Sequence, residues 1–196
     1  MAHVASIVEG HGEVDALPAL LRRIWQAEAP GQPLGVNPPI RIKSGSYLND
    51  EVYFRRYTLL AAAKAAQSGG FVVILLDCED NCPAQLGPKL LARAQAVRND
   101  VSYLVVLAYR EFESWFLAAA RSLRGHYGLP ADLEPPQAAE DIRNAKGWLG
   151  ERMELSYDPV IHQTEFCRFF DLQQARNNPS FSRFYSRVAE LLQPQG

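Results

Sequence analysis

Residues 71–80 read FVVILLDCED: six consecutive apolar positions, then acids at three of the next four. So short and uniform an apolar run, rich in β-branched side chains, fits a strand buried on both faces, as in a parallel sheet covered by helices. SYLVVLA at 102–108 has the same character, and HVASIVE at 3–9 is a third strand. PIRIKS at 39–44 alternates apolar with polar positions and is placed nearer an edge. Between these runs lie three segments of helical composition, 14–29, 50–67 and 84–97. The alternation predicts an α/β fold, a Rossmann-like, mostly parallel four-stranded sheet flanked by helices.

Beyond residue 108 the strand signal fades. REFESWFLAAARSL at 110–123 spaces Phe112, Trp115, Phe116 and Ala119 three and four apart, one apolar helical face. GLPADLEPPQAAED at 128–141 is a Pro-rich acidic connector, and the tail from Asp158 reads as two or three short helices, the last beginning after Asn178. The expected organisation is an α/β domain over 1–123 and a helical C-terminal extension over 124–196 packed on it. The tail's Phe166, Phe169, Phe170, Phe181, Phe184 and Tyr185 are read as a packing surface rather than a base-stacking platform.

In parallel α/β sheets, sites form beyond the carboxyl ends of the strands. Glu9 ends the first strand there, with Glu13 four residues on, and Asp77 ends the strand that opened this section, followed by Glu79 and Asp80. If those strands are neighbours, the acids converge and repel one another, and a divalent cation relieves the conflict. Hard oxygen ligands suit Mg²⁺ or Mn²⁺. The competing reading makes Glu13 an ordinary first-turn acid interacting with the helix dipole. After the fourth strand stand Glu111 and Glu113; a helix would not present both on one face, and Glu111 is preferred as a metal ligand because it lies nearer the strand end.

The pairing of VEGHGE with a later strand ending in LLDCED, on this topology, resembles the TOPRIM domain of topoisomerases, bacterial primases and OLD-type nucleases. With REFESWFLA, NAKGWL and the helical tail added, the chain is similar to DUF4276, a bacterial TOPRIM-like family of unknown function. The TOPRIM resemblance covers about the first 120 residues, the narrower one nearly the whole chain. By position it implies that Glu9 is a metal ligand or general acid/base, that Asp77 and Glu79 fill an Asp-x-Asp motif with glutamate in the second place, and that Glu13 helps hold metal. Asp80 is the alternative to Glu79.

What the resemblance implies is Mg²⁺- or Mn²⁺-dependent phosphodiester chemistry on DNA or RNA, in phage or mobile-element defence. The alternative is a non-catalytic metal-binding module serving a partner ATPase; a homodimer is a further expected association, and a membrane is not. Developing charge requires a cation, and Lys43, at the end of PIRIKS, is preferred over Lys146 and Arg110. Catalytic roles are thus expected for Glu9, Glu13 and Lys43, and metal ligation for Glu9, Glu13, Asp77, Glu79, Asp80 and Glu111.

The rest of the sequence sets bounds. At 196 residues and 47% hydrophobic the chain is sized for one packed core, and a net charge of -2 means that any phosphate-binding surface is local. Arg22, Arg23, Arg41, Arg55 and Arg56 are either such a surface or a solvated face. Three cysteines are too few and too irregular for a disulfide framework, and no four soft ligands have zinc-site spacing. His11 is either a proton shuttle or a loop residue. With no apolar run of the ~20 residues a membrane span requires and no signal-peptide pattern, a cytoplasmic location is expected.

Overall fold

A computed structural model of the chain describes residues 2–192. Among them five parallel strands form one sheet: β1 (Ala2–Val8), β2 (Leu34–Val36), β3 (Ile40–Arg41), β4 (Phe71–Asp77) and β5 (Ser102–Ala108). β1 and β4 are hydrogen-bonded neighbours, with Val4 opposite Phe71 and Ile7 opposite Ile74. β4 pairs along its whole length with β5, Asp77 opposite Ala108. The ends of β1 and β4 therefore lie side by side.

The outer edge of β1 differs from the expected single strand over 39–44. β2 pairs with the first half of β1 and β3 with its end. Both lie on one side, since the carbonyls of Val4 and Val8 accept from the amides of Asn37 and Ile42 at 2.9 Å each. Between them stand Pro38 and Pro39, which have no N–H to donate, so this edge is interrupted and the sheet has five strands instead of four.

Side chains alternate across the sheet as the pleat dictates. Val4, Val8, Val73, Leu75, Leu104 and Val106 face one core, shared with α1 (Glu13–Glu28). Ala5, Ile7, Val72, Ile74, Leu76, Tyr103 and Leu107 face the other, under α3 (Glu51–Ala66) and α4 (Pro83–Val97). A short α2 (Ser44–Asn49) precedes α3. Asp50 starts α3 by accepting from Val52 and Tyr53 N–H at 2.9 and 3.0 Å.

Helix does not fill 110–123 as the apolar spacing predicts. α5 is only Ser114–Ala118, followed by a 3₁₀ turn over Ala120–Leu123. Arg110 is left-handed (φ 62°), and the Phe112 amide is spent on Asp77, so the chain turns into the helix only at residue 114. α6 (Ala145–Gly150), α7 (Pro159–Phe169), α8 (Leu172–Ala175) and α9 (Pro179–Leu192) follow.

These last helices join the α1 side of the sheet in one continuous core. Trp115 stacks on Phe184 with ring centroids 5.3 Å apart, and its indole N–H donates to Ser180 Oγ at 2.8 Å. Phe116, Phe166, Phe170 and Phe181 are fully buried around them, each worth about 1.5–3 kcal/mol of transfer free energy. Arg23 belongs to this packing: its guanidinium donates to the Cys167 and Phe170 carbonyls at 2.9 and 2.8 Å. No helix among the described residues is long and apolar enough to cross a membrane.

Candidate functional site

Because β1 and β4 are neighbours, Glu9, Glu13, Asp77 and Glu79 line one cavity of about 380 Å³ with Lys146 and the Gly10–Gly12 turn. A second cavity of about 300 Å³ adjoins it through Asp77, Glu79 and Lys146, and adds Asp80, Arg110, Glu111 and Arg143. The whole groove lies beyond the carboxyl ends of the strands.

Glu13, the first residue of α1, folds back over its own turn. Its Oε2 accepts from the amides of Glu9 and Gly10, both at 3.1 Å. The turn closes tightly against α7: a Cβ on Gly12 would overlap the Pro159 carbonyl oxygen and the Gln163 amide oxygen. Burial pushes the Glu13 carboxyl from its ordinary 4.5 up to about 7; the two amides pull it down, and the charges of Glu113 and Glu9 push it further up. Asp77 is also held well above the usual carboxylate range, first by burial and then by the charge of Glu13, against the opposing pull of Lys146. Its Oδ1 accepts from Phe112 N at 2.8 Å. Ser44 Oγ donates to Glu9 Oε1, tying the start of α2 to the end of β1.

Lys146 stands among the acids. Its Nζ is 3.3 Å from Glu113 Oε2, 3.5 Å from Glu111 Oε2 and 3.6 Å from Asp77 Oδ2. Burial alone would lower its pKa, but the three carboxylates outweigh that and hold the ammonium charged. Glu111 also accepts the backbone N–H of Lys146 at 3.3 Å, and Asn144 Oδ1 accepts that of Gly147 at 2.9 Å, so the start of α6 is fixed at both points. Glu113 is fully buried and accepts from Gln163 Nε2 at 2.8 Å and Tyr157 OH at 3.1 Å. Because residues 110–113 are not helical, Glu111 and Glu113 both reach Lys146, where one helical face would have separated them.

Of the remaining expected residues, Glu79, Asp80 and His11 line the groove and Lys43 does not. Lys43 is exposed at the N-cap of α2 and lines neither cavity; its backbone N–H donates to Tyr53 OH at 3.1 Å. Asp80 Oδ1 accepts from Arg110 Nη1 at 3.0 Å and Arg143 Nη1 at 2.7 Å. Glu79 is exposed with a left-handed backbone, φ 49°, and its amide donates to the Arg110 carbonyl at 3.0 Å. His11 is exposed at the cavity rim. The cysteines are free thiols, Cys78 and Cys167 buried and Cys82 exposed.

Among the described residues no three His, Cys, Asp or Glu side chains form a ready-made metal-binding group. The donors are nonetheless hard oxygens of the kind that suit Mg²⁺ or Mn²⁺: Asp77, Glu111 and Glu113 surround Lys146, and Glu9, Glu13 and Glu79 line the same cavity. A carboxyl with a pKa near 7 also exchanges a proton readily at neutral pH.

The most informative residues that sequence reasoning underweighted are Lys146, Glu113 and Ser44. Lys146 carried a usable signal. It lies in the first turn of a helix capped by Asn144, where the helix dipole disfavours a cation, so a lysine there needs acids to hold it.

The chain matches the family described as Domain of unknown function (DUF4276) over residues 8–189, and it belongs to that family. No curated protein and no solved structure matches it.

Proposed function

We propose that this protein is a TOPRIM-like, Mg²⁺- or Mn²⁺-dependent nuclease or closely related phosphodiester hydrolase acting on DNA or RNA. The observation that carries this reading is the joining of Glu9, Glu13, Asp77 and Glu79 in one cavity at the carboxyl edge of a parallel sheet, with a fixed ammonium beside them. Glu9, Glu13, Asp77 and Glu79 are the residues that would hold the metal, with Glu111 flanking them. Asp80 is left out because its carboxylate is committed to two arginines. When bound, the ion supplies Lewis-acid polarisation of a phosphoryl oxygen and a lowered pKa for its water.

The chain's own groups do the rest. Glu13 lines the cavity in which the attacking water would sit and orients that water through its carboxylate. Its two backbone donors fix where that carboxyl points. Lys146, anchored by Glu111 and Glu113, holds a positive charge where negative charge builds on the phosphate. Ser44 orients Glu9, and Phe112 N–H orients Asp77. A defence role against phage or mobile elements rests on family analogy alone.

The test is cleavage of DNA and RNA by the purified chain with Mg²⁺ or Mn²⁺. Wild-type cleavage that falls by about 10²–10⁴ in both Glu9→Ala and Asp77→Ala supports the mechanism. Cleavage surviving both changes sinks it.

A further inference from the structure

The cavity beside the acids holds an unusual arrangement. Asp80, on the turn after β4, presents one carboxylate oxygen to two guanidinium groups from distant parts of the chain, Arg110 after β5 and Arg143 before α6. The carboxylate is largely solvent-exposed (74%), while the Arg110 side chain is mostly buried (16% exposed). An exposed acid has no need of two arginines. A buried arginine does need an anion, and Arg110 still has a buried Nε donor without a partner. Each guanidinium gives Asp80 one Nη1 donor, and two arginines converging on one anionic oxygen, with further N–H groups to spare, are a donor set suited to phosphate.

We infer that Arg110 and Arg143 form an oxyanion subsite for a phosphate group of the substrate, and that Asp80 is a built-in anion occupying that subsite until the phosphate displaces it. This rests on the hydrolase reading above and deepens it. The carboxylates with Lys146 form one end of the groove, and the arginine pair takes a neighbouring phosphate in the adjoining cavity, which Lys146 also lines. Asp80 keeps the arginines aligned and their charge compensated when no substrate is present. It sits on the exposed turn rather than in the sheet, so it can swing out without disturbing β4. Displacement replaces the two single contacts to Asp80 with contacts to several phosphate oxygens and offers the orphaned Nε a partner.

Asp80 is thus a competitor of the substrate, which sets it apart from a metal ligand. The probe is inorganic phosphate, titrated calorimetrically into the full chain with and without Mg²⁺, alongside Mn²⁺ affinity measured by electron paramagnetic resonance. Asp80→Asn keeps the shape and removes the charge; it should bind phosphate about tenfold more tightly than wild type with Mn²⁺ affinity unchanged. Arg143→Gln, an exposed change that leaves folding intact, should weaken phosphate binding about tenfold. Arg110→Lys should weaken it similarly by losing the planar fork. Phosphate binding that Asp80→Asn leaves unchanged or weakens overturns the inference, as does loss of Mn²⁺ binding in that variant. If no form binds Mn²⁺ while the phosphate responses appear as stated, the subsite stands and the hydrolase reading falls.

Discussion

Lys146 Nζ lies 3.3 Å from Oε2 of Glu113, a carboxylate with no exposure to solvent. The pair joins α6 to the turn after β5, and through Gln163 and Tyr157 the same carboxylate reaches α7 and the segment before it. Removing the ammonium leaves a buried acid with only neutral donors. Lys146→Met should lower stability by about 2 kcal/mol in urea unfolding, below the cost of breaking a fully buried pair because the lysine is partly exposed. Adding Glu113→Gln should restore much of that loss.

Glu13 gives the fold a pH dependence. Its carboxyl titrates near 7 when folded against an ordinary 4.5, so the folded state holds its proton more tightly. The stability from this group is fully present below pH 4.5 and is lost as pH rises through about 7, roughly 3 kcal/mol in all. Without divalent ions, Tm should fall across that window, and Glu13→Gln should flatten the fall. Added Mn²⁺ should raise Tm more at pH 8 than at pH 5, because protonated ligands compete with the metal.

Gly12 sets the spacing between the α1 turn and α7. With Pro159 backbone and the Gln163 side chain against its Cα, Gly12→Ala should cost about 1–3 kcal/mol by overpacking. Gly45→Ala, where a Cβ meets nothing within 4 Å, is the matched control and should leave Tm within about a degree or two of wild type.

Phe181 is fully buried among the rings of Trp115, Phe170 and Phe184, which come from both halves of the chain. Phe181→Ala should cost about 3–5 kcal/mol. Calorimetry should show it lowering a single transition, because sheet and C-terminal helices share one core; two separate transitions would contradict that.

The sheet was legible because its central strands carry an uninterrupted apolar code, FVVILLD and YLVVLA, whose parallel reading needs no partner information. Glu9 and Asp77 were legible for the same reason: each ends such a strand, and the pairing of β1 with β4 brings them together. The edge was not, because Pro38 and Pro39 split it into pieces too short to show a period. The cationic side of the site was hidden as well. Lys43 looked better placed than Lys146 along the chain, but the latter reaches the acids only through the packing of α6 and α7, contacts 35 and more residues apart in sequence. The preference for Glu111 over Glu113 rests on a helical assumption that the left-handed Arg110 breaks.

The most direct test of the central claim is diffraction from crystals grown with Mn²⁺, with data collected at the manganese edge. The account predicts an anomalous peak in the groove, bounded by carboxylate oxygens of Glu9, Glu13, Asp77 and Glu79, with Lys146 alongside and Asp80 outside its coordination shell. Manganese bound elsewhere, or no peak in the groove at saturating metal, would contradict it.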